Sequence, residues 1–142
     1  MKETEKWLFG AKWWPPGFRL PVDNSLVNVF RDMKKIGFEF QLKWPVGTIF
    51  SSINLIERFE LAVDGRSLPQ CDVYLLVKEH KINVGDLSKT NLTFDPVEVI
   101  TVGAEMANGL DKGIHELHLT VAFSGSPGPA VKTYFKLELC EK

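Results

Sequence analysis

The feature that most constrains this fold is a repeated alternation of apolar and polar residues. The alternation is longest in residues 114–123, and it returns in 131–139 after a segment rich in Gly and Pro. Two further alternating runs, Phe38–Trp44 and Phe59–Val63, flank a loop, and the second ends at the turn signal Asp64-Gly65. A period of two points alternate side chains to opposite faces of a strand, so the pattern predicts sheets with one dry face.

Shorter apolar segments complete the predicted strands, and they are Leu26–Arg31, Val73–Val77, Ile82–Val84 and Val97–Val102. Val73–Val77 is apolar on both faces, as expected of a central strand. About eight strands, turn residues at short spacing and no convincing amphipathic helix predict an all-β fold. We expect an antiparallel β-sandwich that is jelly-roll-like, with an immunoglobulin-like sandwich as the alternative.

The chain has 142 residues, which fits one domain. We divide it into an extended arm, residues 1–25, and a sandwich, residues 26–142. The arm holds three of the four tryptophans, and its Pro15-Pro16 pair disfavours a helix.

Aromatic residues in a segment this short have little of their own chain to pack against. We therefore predict that Trp13, Trp14 and Phe18 contact a partner, whereas Trp7 and Trp44 are assigned to the core.

Charge and apolar patterning exclude several classes of partner. The net charge is −1, from 17 basic and 18 acidic residues, so no whole-chain field favours nucleic acid or anionic membranes. No apolar run has the length of a membrane span or of a signal peptide. Cys71 and Cys140 are expected to be buried free thiols, which fits a reducing compartment, and we predict the cytoplasm.

The histidines do not form a convincing metal site. His115 and His118 lie on one predicted strand, three residues apart, so they point to opposite faces. His118 shares its face with Glu116, which provides two ligands at most, and His80 is predicted in a solvated turn. We therefore expect no metal on this chain.

No pattern marks a catalytic centre either. The sequence has no Gly-x-Ser-x-Gly motif and no Gly-rich loop that leads into a helix. A glycosidase needs two facing carboxylates, and outward positions on strands account for most of the acidic residues. We expect no catalytic residue on this chain.

Two landmarks give the chain a family resemblance. The first is Gly37–Phe40 followed by Pro45 and Gly47, then Ile53–Arg58, then Leu61–Gly65 with Leu68-Pro69; the second is Asn108–Leu117. Together these motifs resemble the β subunit of bacterial C-glycoside deglycosidases, over roughly residues 26–123. They mark turns and strand starts rather than active-site residues.

The resemblance implies a small β-sandwich that assembles with a larger α subunit. That subunit is expected to be a TIM barrel similar to sugar-phosphate isomerases, and to hold a divalent metal, Mn or Mg, with the acid and base groups. The resemblance also implies cleavage of the carbon–carbon bond between a 3-oxo sugar and an aromatic aglycone, with flavonoid C-glucosides as typical substrates.

The loop between Pro45 and Ile53 departs from the family pattern. A loop rich in Tyr and Arg is expected there, but in this sequence the loop contains neither residue. We predict that the loop meets the partner through Val46, Thr48, Ile49 and Phe50. Two other functions stay open: a stand-alone carbohydrate-binding module with exposed tryptophans, and a small cupin-type enzyme.

Overall fold

The computed structural model describes residues 5–8, 22–43, 53–93, 99–123 and 131–140. Within these ranges the chain forms ten strands: β1 (Glu5–Leu8), β2 (Val27–Arg31), β3 (Lys34–Lys43), β4 (Ile56–Val63), β5 (Arg66–Ser67), β6 (Val73–Val77), β7 (His80–Asn83), β8 (Val99–Glu105), β9 (Ile114–Phe123) and β10 (Val131–Glu138). The helices in the described ranges are short 3-10 turns at Ile53–Leu55, Gln70–Asp72 and Val84–Lys89. None of the helices described could span a membrane.

The strands form two five-stranded sheets. The first sheet has the order β1-β10-β9-β4-β5, and the second has the order β2-β3-β8-β6-β7. Neighbouring strands pair antiparallel in both sheets. Phe40 of the second sheet meets Phe135 of the first edge-to-face, with ring centroids 5.7 Å apart, so the two sheets pack face to face. This confirms the all-β sandwich, whereas its jelly-roll-like character stays a prediction.

The alternation predicts correctly which side chains build the core. Phe38, Phe40 and Leu42 of β3 are fully buried, and Phe59, Leu61 and Val63 of β4 are at most 3% exposed. Burying such side chains stabilises the fold by about 1.5–3 kcal/mol each. The predicted central strand is also confirmed, because β6 lies between β8 and β7. Trp44 and the side chain of Trp7 lie outside the described part.

Tight turns join neighbouring strands, and their residues adopt positive φ. Asp64 and Gly65 connect β4 to β5 with φ of 51° and 81°, which confirms the predicted turn. Asp32 and Met33 join β2 to β3 with φ of 52° and 66°, and Lys78 and Glu79 join β6 to β7 in the same way. The last two turns lack the Gly or Asn that signals such a turn in a sequence. The sequence therefore does not show where these turns end, and β3 and β7, which follow them, begin earlier than predicted.

Several boundaries differ from the prediction for this reason. β3 begins at Lys34 rather than Phe38, and β7 begins at His80, which the sequence predicts in the turn. Four residues of the arm, Glu5–Leu8, form β1 and pair with β10 at the edge of the first sheet.

The expected burial of the two thiols is wrong. Both cysteines are free, but Cys71 is exposed and Cys140 is only partly buried. Cys71 lies in a short surface turn after β5, and Cys140 lies two residues beyond the end of β10, so both thiols are outside the alternating strands that build the core.

Candidate functional site

The predicted partner contacts fall outside the residues that the structure describes; they are Trp13, Trp14, Phe18, Val46, Thr48, Ile49 and Phe50. The structure does show where both segments join the sandwich. The arm enters where the Val22 N–H donates to the Gln41 carbonyl of β3, at 2.9 Å. The loop leaves from the end of the same strand and re-enters where the Ile53 N–H donates to the Leu92 carbonyl, at 3.1 Å. The assignment of both segments to an interface stays a prediction.

The two histidines of β9 lie on opposite faces of the first sheet, as the alternation predicts. His115 is 9% exposed and belongs to the buried set with Leu117 and Leu119, whereas the His118 side chain is 32% exposed on the outer face. One ion cannot bind both rings, since the sheet itself separates them. His80 is exposed, as expected, although it lies on a strand.

Both ring nitrogens of His115 are bonded to other parts of the chain. Nδ1 lies 2.6 Å from Asp64 Oδ2, and Nε2 lies 2.6 Å from the carbonyl oxygen of Asp111. The backbone N–H of Glu116 donates to Asp64 Oδ1 at 2.9 Å, and the Asp64 N–H donates to the Glu116 carbonyl at 2.8 Å. The β4–β5 turn is thereby fixed to the start of β9.

The electrostatics of this pair favour a charged imidazolium and a carboxylate. Partial burial opposes the charge on His115 and lowers its pKa. The hydrogen bonds to Asp64 and to the Asp111 carbonyl, together with the negative charges of Asp64 and Asp111, outweigh this effect, so the pKa of His115 is raised. Desolvation likewise opposes the charge on Asp64, and the hydrogen bonds from His115 and Glu116 outweigh it and lower the pKa of Asp64. A histidine with both nitrogens engaged internally is not available as a general base for a substrate, so the pair acts on structure.

The second histidine is part of a different group on the outer face. His118 Nε2 lies 2.6 Å from Glu116 Oε1, which confirms that the two residues share a face. Tyr134 of β10 lies opposite His118 in the register and meets its ring edge-to-face, with centroids 4.2 Å apart. The carboxylate and the phenol ring therefore hold the imidazole in one orientation.

A cleft of about 320 Å³ opens beside this histidine, between β9, β4 and β5. Ala62 forms its floor, with His118 opposite it on β9 and Ser67 opposite it on β5. Glu60 and Thr120, which are also opposite each other, line one end. Such a volume fits a ligand of a single ring, at the lower end of ordinary ligand sites.

No metal centre is evident in the part of the chain that the structure describes. Groups of three or more His, Cys, Asp or Glu side chains placed to hold an ion do not occur there. Glu116 and His118 form a pair, and a structural or catalytic ion needs three or four protein ligands. The expectation that this chain holds no metal stays a prediction.

The outer face of the second sheet carries a tyrosine cluster. Tyr74 donates to Glu39 Oε2 at 2.6 Å, and Lys81 Nζ lies 4.3 Å from the centre of its ring. Burial, the hydrogen bond to Glu39 and the charges of Glu39 and Glu105 raise the pKa of Tyr74. The phenol ring lies over Gly103, where a Cβ would be 2.3 Å from the tyrosine ring carbon that bears the hydroxyl. The Tyr74 hydroxyl is therefore protonated and bonded within the chain.

Sequence reasoning misses the residues that surround the histidines. The sequence places Asp64 in a turn and Tyr134 in a strand, but it links neither of them to a histidine. The missing information is how β9 pairs with its neighbours. Its pairing with β4 brings Asp64 to His115, 51 positions away, and its pairing with β10 brings Tyr134 to His118. The Asp-Gly turn signal and a later strand that begins with His are the local hints.

Comparison with known proteins bears on most of this arrangement. A family model described as C-glycoside deglycosidase beta subunit matches residues 19–126, which is well over half of the 142 residues. A comparison with curated proteins gave no match. The matched span includes the Asp64–His115 pair, the outer-face histidine and the cleft, and a family of beta subunits implies a partner subunit. The chain therefore belongs to the C-glycoside deglycosidase beta subunit family.

Proposed function

We propose that this chain is the non-catalytic β subunit of a C-glycoside deglycosidase that is built from an α and a β subunit. Such an enzyme is a carbon–carbon lyase. The single observation that carries the proposal is the family match over residues 19–126. The geometry agrees with a supporting role, because both ring nitrogens of His115, the most buried histidine, are hydrogen-bonded to groups of its own chain. The outer-face His118 is likewise hydrogen-bonded within its own chain, to Glu116.

The proposed partner is a TIM-barrel α subunit that resembles sugar-phosphate isomerases. That subunit would hold a divalent metal, Mn or Mg, and supply the acid and base groups. The substrate would be a C-glucoside of a flavonoid whose sugar has already been oxidised at C3. The 3-oxo group acidifies the C–H bond at C2, so a base can remove that proton. A C1–C2 double bond would then form as the carbon–carbon bond to the aglycone breaks, and an acid group would protonate the departing aglycone carbon.

The contact with the α subunit is assigned to the aromatic arm and to the loop between Pro45 and Ile53. Both segments join the described sandwich at β3 and beside β4, through the bonds of Val22 and Ile53. We place the assembly in the cytoplasm, in accord with the free cysteines.

Purification of the chain with and without the α subunit tests this proposal. We expect the two chains to co-purify as a hetero-oligomer, and only the assembly to release aglycone from a 3-oxo C-glucoside. The α subunit alone serves as the matched control for any residual turnover. Lyase activity from the isolated β chain, or failure of the two chains to associate, would refute the assignment.

The alternative is a stand-alone carbohydrate-binding module that uses exposed tryptophans. It predicts that the fluorescence of Trp13 and Trp14 responds to sugars in the absence of any partner. A chain that associates with the α subunit and shows no such fluorescence response excludes this alternative.

A further inference from the structure

The cleft on the outer face of the first sheet has the features of a small-ligand site that the proposed function does not use. It exists because β5 has only two residues, Arg66–Ser67, so the outer strand of the sheet ends at the residue that pairs with Ala62. Alanine is the smallest outward side chain that β4 could place there, apart from glycine. The space above it is bounded on one side by β9 and on the other by the segment that follows β5.

The groups around this space can both donate and accept hydrogen bonds. Ser67 and Thr120 carry hydroxyls, Gln70 carries an amide, Glu60 a carboxylate and His118 an imidazole. Leu61, Ala62 and Leu68 supply the apolar part of the lining. A wall that combines hydroxyl, amide and carboxylate groups with apolar atoms suits a ligand that carries several hydroxyls on a small ring.

Two of the polar groups are held in place by residues outside the cleft. Glu116 and Tyr134 fix the ring of His118, at 2.6 Å and at a centroid distance of 4.2 Å. Arg58 donates to Glu60 Oε1 at 2.9 Å. Groups that are already oriented lose little conformational entropy when a ligand binds, which favours affinity.

The charge of the cleft argues for a neutral ligand. Among the residues that the structure describes around it, Glu60 is the one acidic side chain, and the guanidinium of Arg58 pairs with it. The described lining has no lysine or arginine side chain, so it offers no ammonium or guanidinium partner to an anion such as phosphate.

We infer that the outer-face cleft between β4, β5 and β9 binds a neutral pyranose sugar. Ala62 provides the flat floor under the ring, and the side chains of His118, Gln70 and Ser67 hydrogen-bond its hydroxyls. This inference stands on the cleft alone and does not depend on the identity of the partner subunit. It also differs from a platform of exposed tryptophans, because the described lining contains no aromatic side chain besides the imidazole.

The three histidines of the chain provide a direct measurement. The full chain, in the assembly in which it is purified, is labelled with 13C at the histidine Cε1 atoms of this chain only. D-glucose and methyl β-glucopyranoside are then titrated at millimolar concentrations, with phloroglucinol as a flat aromatic ring that carries hydroxyls. We expect a saturable shift of the His118 signal with the two sugars, and no shift of His115 or His80.

Substitution of the cleft floor provides the matched control. Ala62→Leu fills the floor of the cleft and should remove the saturable shift of the His118 signal. Ala122→Leu is the same change on the outer face of β9 but outside the lining, so the shift should be unchanged in that variant. Gln70→Ala should weaken binding about tenfold through loss of its hydrogen bonds. An unchanged His115 signal establishes that each variant is folded.

Three outcomes would overturn the inference. The first is a His118 signal that does not saturate with either sugar, and the second is a response to phloroglucinol without a response to the sugars. The third is wild-type sugar binding by folded Ala62→Leu protein.

Discussion

Asp64 Oδ2 lies 2.6 Å from His115 Nδ1, and this bond ties the turn after β4 to the first residues of β9. This bond stabilises the turn, in which Asp64 adopts a φ of 51°, a conformation that is unfavourable for a residue with a side chain. The same carboxylate accepts the Glu116 N–H, so one side chain holds both the backbone and the ring of its neighbour strand.

We predict that the Asp64–His115 pair stabilises the fold only within a limited range of pH. His115 has a raised pKa in the folded chain, so its contribution is complete below its ordinary pKa of 6.5 and is lost as the pH rises through the raised value. Asp64 has a lowered pKa, so its contribution is present above its ordinary value of 3.8 and is lost as the pH falls through the lowered value. The pair therefore stabilises the fold most between these two ordinary pKa values.

The window can be measured as the difference in unfolding free energy between the wild type and His115→Gln at several pH values. We expect a difference of about 1 kcal/mol within the window, because Asp64 is half exposed and solvent weakens the bond. The difference should shrink above the window. His80→Gln, a change at an exposed position, is the control. A difference that stays constant with pH would contradict the ionic role.

A second prediction concerns Asn28, whose buried amide is bonded to a residue 82 positions away. It donates to the Leu110 carbonyl at 2.9 Å and accepts the Leu110 N–H at 2.8 Å. Asn28→Ala should cost about 2–3 kcal/mol, because both backbone groups of Leu110 lose their partner in a buried place. Urea unfolding measures the loss.

The control for Asn28 is another asparagine that bonds backbone at the surface. Asn83 accepts the N–H of Gly85 and donates to the Cys71 carbonyl, and both bonds are exposed. Asn83→Ala should therefore cost no more than about 1 kcal/mol. Equal losses for the two substitutions would show that burial of the Asn28 bonds adds nothing.

A third prediction concerns the contact of Tyr74 with Gly103. A Cβ at position 103 would lie 2.3 Å from the tyrosine ring, so Gly103→Ala must displace the ring and break its bond to Glu39. The expected cost is about 1–3 kcal/mol. Tyr74→Phe, which removes the hydroxyl alone, should cost less, about 0.5–1.5 kcal/mol.

The two residues should also be coupled energetically. In a Tyr74→Ala background the ring is gone, so Gly103→Ala should cost little further stability, and the two effects should not add. Unfolding free energies of the two single variants and of the double variant give the coupling. Strict additivity would mean that Gly103 is needed for its backbone and not for the tyrosine.

A fourth prediction concerns the arm. Trp13→Ala and Trp14→Ala should weaken association with the α subunit, about tenfold or more for an aromatic residue at the centre of an interface. Titration calorimetry between the separate subunits measures the affinity. Phe30→Ala is the matched control, because Phe30 is 56% exposed and lies on β2, outside the arm. A loss confined to Phe30→Ala would place the interface at the β2–β3 hairpin instead.

The sequence by itself determined which residues face inward. Phe38, Leu61 and Leu117 are buried where the alternation puts them, since a strand gives each side chain a face without reference to its neighbours. The same rule separated His115 from His118. The Asp64-Gly65 turn could also be recognised locally, because a positive φ favours Gly.

Only the tertiary structure decided which strands are neighbours, since pairing depends on contacts between distant segments. Pairing of β4 with β9 brings Asp64 to His115, and pairing of β9 with β10 brings Tyr134 to His118. The early start of β3 has the same origin, because a Met in a positive-φ turn gives no local signal. The cleft over Ala62 likewise results from strand pairing, because it depends on where β5 ends. The alternation within a single strand does not show where a neighbouring strand ends.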